Sequence, residues 1–170
     1  MRSLISVTVL LLILSLLPPL PAYSLDSAQT RKTLVIEGVY VLVEELQPNI
    51  KGFSDRFKFS KEQLQADVES KLREAGIKVF NKNEWLKTVG RPILYVNINT
   101  DQREKYWWSY DVRLELQQMV SLEVNPQVKT LATTWSTNIT GTVNLGTLHV
   151  LSQQVSTLVD IFINAYLSKK

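Results

Sequence analysis

Few residues in this chain belong to the types that most often do chemistry. There is one histidine, His149, and there are no cysteines. Disulfides, thiolate nucleophiles, cysteine-bound zinc, iron–sulfur clusters and a lipid on an N-terminal cysteine are therefore excluded. A histidine that acts as a general base needs an orienting carboxylate within hydrogen-bond reach. The next carboxylate on the same predicted helix, Asp160, lies about three turns away, so we expect His149 to be an exposed surface residue.

The carboxylates are the second group that could act in catalysis. Glu44 and Glu45 are neighbours in a predicted strand, and adjacent strand residues point to opposite faces, so they cannot share a site. Asp101 and Glu104 flank a predicted hairpin that also carries basic residues, an arrangement that is usually only solvated. A glycosidase needs two facing acids roughly 5 to 10 Å apart. No acid lies at a clearly inward strand position, and a carboxylate-based hydrolase is the least favoured alternative.

Motifs for covalent catalysis and for cofactors are missing as well. No serine lies in a Gly-x-Ser-x-Gly elbow, and there is neither a phosphate-binding loop nor the glycine fingerprint of a dinucleotide site. One histidine without cysteine does not make a transition-metal site. The sequence therefore predicts no catalytic residue, no metal and no cofactor.

Aromatic residues are more informative than the titratable ones. Residues 106–110 hold four large rings in the order Tyr-Trp-Trp-Ser-Tyr. Trp108 falls in the apolar series of its predicted strand, whereas Trp107 falls in the polar series, where Tyr95 of the preceding strand can join it. Exposed indole and phenol rings anchor partner proteins, peptides and sugars. Trp107 and Tyr95 are thus a candidate binding surface, and the alternative is that Trp107 only covers the edge of the hairpin.

A second candidate surface is the loop at residues 51–58. It interleaves Phe53 and Phe57 with three basic residues, a composition that suits peripheral contact with an anionic membrane or with a partner. The alternative is that the phenylalanines fold under the loop and cover the start of the following helix.

The elements that must position these residues begin with a strand and a helix. Residues 34–46 are rich in β-branched residues and predict a strand with apolar residues on both faces, in which Gly38 marks a bulge or a close backbone approach. A loop follows at 47–59. Ser60 and Gln63 predict a capping box for a helix at 61–75, which ends at a left-handed Gly76. Its apolar stripe consists of Leu64, Val68, Leu72 and Ala75.

Further strands and a long last helix follow. The predicted strands are residues 77–80, 92–100, 107–124 and 128–139, with one helical turn at 84–87 that Asn83 caps and Trp85 and Leu86 anchor. Residues 107–124 alternate between apolar and polar, so one side of this sheet is buried and the other is wet. Asn125-Pro126 makes the next turn, and Gly141 and Gly146 flank a loop before a helix at 147–167. The order predicts a two-layer α+β sandwich, with a mixed or mostly antiparallel sheet of about five strands and two long helices on one face.

The N-terminus has the three-part pattern of a secretory signal. A short positive start at Arg2 is followed by an apolar run over residues 4–17, a group of prolines and small residues at Ala22 and Ser24. The run is too short for a membrane span, which needs about 20 apolar residues. We expect cleavage after Ser24, one domain over residues 25–170, and export to a bacterial periplasm or exterior, because small eukaryotic secreted domains usually contain disulfides.

The charge of the mature chain argues against a nucleic-acid partner. Without Arg2 the chain holds 18 basic and 16 acidic side chains, and no run of five like charges occurs. Nucleic-acid binders usually show a basic stripe that neutralises phosphates. Any membrane contact is expected to be peripheral at most.

Several short segments resemble an uncharacterised family of exported bacterial proteins. They are Leu72-Arg-Glu-Ala-Gly-Ile-Lys-Val-Phe, Glu84-Trp-Leu, Leu94-Tyr-Val-Asn-Ile, Thr134-Trp-Ser and Phe162-Ile-Asn-Ala-Tyr-Leu. The order of elements is also similar to that of small envelope domains, namely the N-terminal domain of the Tol–Pal propeller protein and the lipopolysaccharide-assembly lipoprotein. The resemblance implies an envelope location and transfers no active site, because fold does not fix function.

Three functions are compatible with these observations. The favoured one is an exported, non-catalytic domain that binds a protein or another envelope component through the open face or an edge of its sheet. The second is a binder of a small apolar ligand or lipid between sheet and helices, although the inward positions carry large side chains. The carboxylate-based hydrolase is the third.

Overall fold

A mixed five-stranded sheet forms the centre of the computed structural model, which describes residues 34–53 and 59–168. In chain order the strands are β1 Gly38–Val43, β2 Lys78–Val79, β3 Ile93–Glu104, β4 Trp107–Leu122 and β5 Asn125–Asn144. They lie side by side in the order β2-β1-β3-β4-β5. The strand β1 is parallel to both of its neighbours, whereas β3, β4 and β5 are antiparallel to one another in succession.

Helices cover one side of this sheet. The long helix α2 packs against β1, the long helix α4 packs against β4 and β5, and the two helices contact each other. Two short helices, α1 and α3, lie in the connections, and a 3₁₀ turn at Leu145–Thr147 leads into α4. The bounds are α1 Pro48–Lys51, α2 Lys61–Glu74, α3 Lys82–Lys87 and α4 Val150–Leu167. The predicted α+β sandwich with two long helices on one face is confirmed.

The helix α2 begins and ends where its sequence predicts. The Ser60 hydroxyl accepts a hydrogen bond from the Gln63 backbone N–H at 3.1 Å, and Gly76 has a left-handed φ of 75°. The Ile77 N–H then donates to the Leu72 carbonyl, which closes the C-terminus as expected. The Gln63 side-chain amide donates to Asp67 at 2.7 Å and does not accept from the Ser60 backbone N–H, so only one half of the predicted capping box forms.

The strand β1 fits closely against β2 because of a glycine. Gly38 lies opposite Lys78, and a Cβ on Gly38 would lie 2.3 Å from the Lys78 carbonyl oxygen. The close backbone approach predicted at Gly38 is therefore confirmed. The strand is shorter than the predicted residues 34–46, because its neighbours pair with it only over Gly38–Val43.

Two short helices differ from the sequence prediction. Pro48–Lys51 forms a helical turn within the predicted loop, since proline suits the first turn of a helix. The helix α3 is capped by Asn81 and not by Asn83: the Asn81 side chain accepts from the Glu84 N–H, and the Glu84 side chain accepts from the Asn81 N–H. Trp85 stacks on Tyr40 with ring centroids 5.3 Å apart. The predicted anchor Leu86 is exposed.

The largest differences concern β4 and β5. Their turn lies at residues 123–124 and not at Asn125-Pro126, and β5 runs through Gly141 to Asn144 instead of ending at Ile139. The strand β3 contacts β4 only as far as Gln117. Residues 118–132 therefore form a two-stranded ribbon that extends beyond the rest of the sheet, and we call this segment the projecting ribbon.

The projecting ribbon explains why part of the predicted core is exposed. The alternation predicted that Val120, Leu122 and Val124 lie on the buried side of the sheet, with Trp108, Tyr110, Val112, Leu114 and Leu116. The latter five are buried, but Val120 is half-buried, Leu122 is 39% exposed and Val124 is 92% exposed. A strand buries an apolar face only where another layer covers it.

Candidate binding surface

The side of the sheet opposite α2 and α4 is polar, and we call it the open face. Its residues follow the two-residue period of a strand. They are Tyr95, Asn97 and Asn99 on β3, Ser109, Asp111, Arg113, Glu115 and Gln117 on β4, and Ser136, Asn138, Thr140 and Thr142 on β5. The predicted one-sided burial of the sheet is confirmed over these rows.

Acidic side chains of the open face are held in contacts with their neighbours. Arg113 Nη2 lies 3.0 Å from Asp111 Oδ2, and Asn138 Nδ2 donates to Asp111 Oδ1 at 2.8 Å. Glu115 accepts from Thr133 Oγ1 at 3.0 Å and from Gln117 Nε2 at 2.9 Å. These carboxylates therefore already accept hydrogen bonds from their neighbours within the sheet.

Tyr95 belongs to a second polar group at the other side of the open face. Its hydroxyl donates to Glu44, and Asn97 Nδ2 lies 3.4 Å from the same hydroxyl. Burial, together with the hydrogen bond to Glu44, raises the pKa of the Tyr95 phenol above its ordinary value. The predicted site residue Tyr95 is thus a half-buried, hydrogen-bonded part of the face.

Trp107 and Trp108 lie on opposite sides of β4, as their positions in the alternation predict. Trp107 is 47% exposed and Trp108 is 1% exposed. The neighbouring Tyr106 is exposed as well, and Lys105 Nζ lies 5.3 Å from the centroid of its ring. The turn between β3 and β4 therefore presents two aromatic rings and a cation at one end of the open face, the combination found at interface anchors.

The structure does not bring Trp107 and Tyr95 together. Tyr95 lies opposite Glu115, and Trp107 is eight residues from Glu115 along β4, which corresponds to about 26 Å. The expectation that the two rings join in one site is wrong, although both belong to the open face.

The second predicted surface is divided by the structure. Phe53 packs edge-to-face against Trp108, with ring centroids 5.7 Å apart, and belongs to the partly buried shell of the core. For Phe53 the alternative holds, because an aromatic side chain next to a buried tryptophan gains more from packing than from exposure to water. Phe57 lies outside the described residues.

The remaining titratable candidates lie apart from one another. His149 is exposed before the first turn of α4 and makes no side-chain cap, as the sequence predicts for a surface histidine. Glu45 accepts hydrogen bonds from Lys61 at 2.8 Å and Lys51 at 3.3 Å, and these bonds hold the pKa of the Glu45 carboxyl below its ordinary value. Glu44 turns to Tyr95 instead, so the two glutamates do not form a joint site.

Residues 34–53 and 59–168 offer few other arrangements that could form a site. No group of three or more histidine, cysteine, aspartate or glutamate side chains is placed to hold a metal ion. None of the helices in these ranges has the length and apolar character needed to cross a membrane. A cleft between α2 and α4 is crossed by Lys71, which contacts Ser156 and Asp160.

The inward positions between the sheet and the two long helices carry large apolar side chains. The inward positions of α4 are Leu151, Val155, Leu158, Val159 and Phe162, and all are almost completely buried. They meet the apolar series of β4 and the stripe of α2 in one cluster. The interior of the sandwich is therefore a packed core.

The outer edge of β5 is a surface that the sequence analysis missed. The strand β5 has 20 residues and is the last strand of the sheet. Its only charged residue is Lys129, and no charge or proline occurs from Leu131 to Asn144. The signal was present in the sequence as this uncharged, threonine-rich run, but its meaning depends on β5 being an edge.

Comparison with known proteins does not add a relationship. No protein-family model matches this chain, and no curated protein matches its sequence.

Proposed function

We propose that this chain is an exported, non-catalytic domain that binds a protein, or another component of a bacterial envelope, through the open face of its sheet. The observation that carries the proposal is the exposed end of this face, where Trp107 and Tyr106 stand beside Lys105. Tryptophan and tyrosine are among the side chains that dominate the binding energy of protein interfaces.

The rest of the open face suits a polar rim around this anchor. Asp111, Arg113 and Asn138 are ordered by hydrogen bonds among themselves, so little side-chain entropy is lost when a partner covers them. Such a pre-ordered polar surface favours a specific protein partner over a small apolar ligand. It also favours binding over hydrolysis, because the acids act as acceptors for their neighbours.

Export is part of the proposal and rests on the sequence. The pattern of a positive residue, an apolar run and small residues at Ala22 and Ser24 is that of a secretory signal, and residues 1–24 lie outside the described residues. The nearly balanced charge of the remaining chain supports a protein partner rather than nucleic acid.

Site-specific photo-crosslinking in an exporting bacterium tests the proposal. A photoreactive residue replaces Trp107 in one variant and Val89 in the control, since Val89 is 96% exposed and lies before β3, at the opposite end of that strand from Trp107. We expect one defined protein adduct from position 107 and none of that mass from position 89. Equal adducts from both positions, or none from position 107, would contradict the proposal.

A further inference from the structure

The outer edge of β5 carries one β-bulge, at Thr134, and few of the other features that normally protect an edge strand. Edges are usually interrupted by charges, prolines or bulges, because their free N–H and C=O groups can pair with another strand. From Leu131 to Asn144 this edge carries neither charge nor proline. Its residues face water on the open side, and Trp135 and Ile139 on the helix side are only partly buried. A strand can therefore add to β5 without opposing like charges.

The projecting ribbon exposes an apolar surface of its own. Val120 and Leu122 continue the helix-side series of β4, and Thr130 lies opposite Val120. Val120 is half-buried and Leu122 is 39% exposed, whereas Leu114 and Leu116 of the same series are buried. The apolar series of β4 thus continues in the ribbon, where its side chains are no longer fully buried.

The flank of α4 presents the complementary feature beside the β5 edge. Ser156 and Asp160 face α2, where Lys71 contacts both. Ile161 lies five residues after Ser156, about 140° around the helix, and is 42% exposed. Because α2 covers β1 whereas α4 covers β4 and β5, this flank points past the β5 edge. Ile161 is thus an exposed apolar side chain beside the last strand.

We propose that β5 pairs with β5 of a second copy of this chain, antiparallel and about a two-fold axis. Each projecting ribbon then lies beside the other copy's β5, under the flank of the other copy's α4. The apolar side chains of the ribbon are then covered by α4 of the other copy. The exposed Ile161 on that helix packs on the added strand. Both halves of this fit come from one sequence, as an isologous interface requires, and a single added strand from an unrelated protein would leave the ribbon uncovered.

A β-bulge fixes the register of this pairing. The partners of Leu116 and Gln117 are Trp135 and Thr133, so Thr134 is the extra residue. Because of this extra residue, odd-numbered side chains lie on the open face before Thr134, as Thr133 does, and even-numbered side chains lie on it after Thr134, as Ser136 does. Opposite side chains must face the same side. A second register shift pairs Asn125 with Leu122, so the regularly paired part of β5 is residues 129–144. The longest overlap of this part that keeps the faces matched, residues 129–140 of both copies, places Thr133 of one copy opposite Ser136 of the other.

Charge supports the same register. The register with Thr133 opposite Ser136 places Lys129 opposite Thr140 of the second copy. In that copy Thr140 is the cross-strand neighbour of Asp111. Two strand spacings, about 10 Å between backbones, are within reach of an extended lysine side chain. The only charge on β5 is thereby directed to an acid of the partner.

The mass of the native protein, measured across the micromolar concentration range, tests whether the dimer forms. Charged substitutions at two residues that lie opposite each other test its register. Thr133→Lys combined with Ser136→Lys places like charges opposite each other across the axis, twice per dimer. Thr133→Glu combined with Ser136→Lys places opposite charges at the same positions. Both sites are exposed in one copy. We expect the wild type and the oppositely charged variant to be dimers. In the like-charged variant the dissociation constant of the dimer should rise about tenfold or more.

The flank is tested with a matched pair of helix substitutions. Ile161→Lys should weaken the dimer, whereas Leu86→Lys should not, because Leu86 is equally exposed at 43% but lies on α3. Circular dichroism of each variant establishes that the fold is kept. A monomeric wild type, or a like-charged variant that dimerises as tightly as the oppositely charged one, overturns the proposal.

This inference is independent of the open face. A monomeric wild type that still gives the adduct from position 107 overturns the dimer and leaves the proposed function standing. A dimer with the expected variant behaviour but no adduct supports the pairing and contradicts partner binding at Trp107.

Discussion

The ring of Tyr110 on β4 lies across the backbone of Gly141 on β5. The two residues are direct cross-strand partners, and a Cβ on Gly141 would lie 2.6 Å from the Tyr110 hydroxyl oxygen and 2.8 Å from its Cζ. Tyr110 itself is buried. The glycine thus makes room for an aromatic ring within a long strand, which is why β5 continues through a residue that the sequence analysis placed in a loop.

Gly141→Ala should therefore destabilise the protein by about 1–3 kcal/mol, the usual cost of overpacking a closely fitted site. Chemical denaturation measures the change. Gly52→Ala is the matched control, because a Cβ there meets nothing within 4 Å, and it should be nearly neutral. Tyr110→Phe removes the hydroxyl that lies closest and should recover part of the loss in the double variant. Equal costs at Gly141 and Gly52 would contradict the close fit.

The two adjacent tryptophans should respond very differently to truncation. Trp108→Ala removes a fully buried ring and should cost about 3–5 kcal/mol. Trp107→Ala removes a half-exposed ring and should cost less than about 1 kcal/mol. Denaturant unfolding of both variants provides the comparison. Similar costs would mean that the side chains of β4 are assigned to the wrong faces, because a slip of one residue inverts every side chain of a strand.

Capping of α3 distinguishes two asparagines that are two residues apart. Asn81→Ala should cost about 1 kcal/mol, because the Asn83 and Glu84 N–H groups lose their acceptor. Asn83→Ala should cost little, since Asn83 is an exposed residue inside the helix. Thermal or denaturant unfolding of the two variants measures the difference. A larger loss at Asn83 would favour the cap that the sequence analysis predicted.

Tyr95 should make the stability depend on alkaline pH. Its pKa is raised above the ordinary value near 10 by burial and by the bond to Glu44, so the folded protein holds this proton more tightly than the unfolded chain. The contribution is fully present below the unfolded pKa and is lost as the pH rises through the raised folded pKa. The stability difference between wild type and Tyr95→Phe should therefore shrink across that alkaline range.

The control for this titration is Tyr106→Phe, which removes an exposed phenol. Its stability difference from the wild type should change less over the same pH range. A Tyr95→Phe variant whose stability follows that of the wild type at every alkaline pH would contradict the half-buried, hydrogen-bonded position of Tyr95.

Local signals predicted much of the fold and one part of the candidate site. The cap at Ser60, the stop at Gly76 and the opposite faces of Trp107 and Trp108 each depend on a few neighbouring residues. Such features are encoded within one or two turns of helix or one strand period. The site prediction failed for Phe53 and for the pairing of Tyr95 with Trp107, because both depended on which residues approach one another from distant parts of the chain.

The sequence by itself determined the alternation of β4, the boundaries of α2, and the lack of cysteine and histidine clusters that excludes whole classes of chemistry. Only the tertiary structure decided that β5 is an edge, that β3 leaves β4 at Gln117, and that Val124 is exposed although it continues an apolar series. The physical reason is that periodicity states which side of a strand is apolar, whereas burial requires a neighbouring strand and a helix layer above it. Those neighbours come from segments far apart in the chain, and their extents are set by packing.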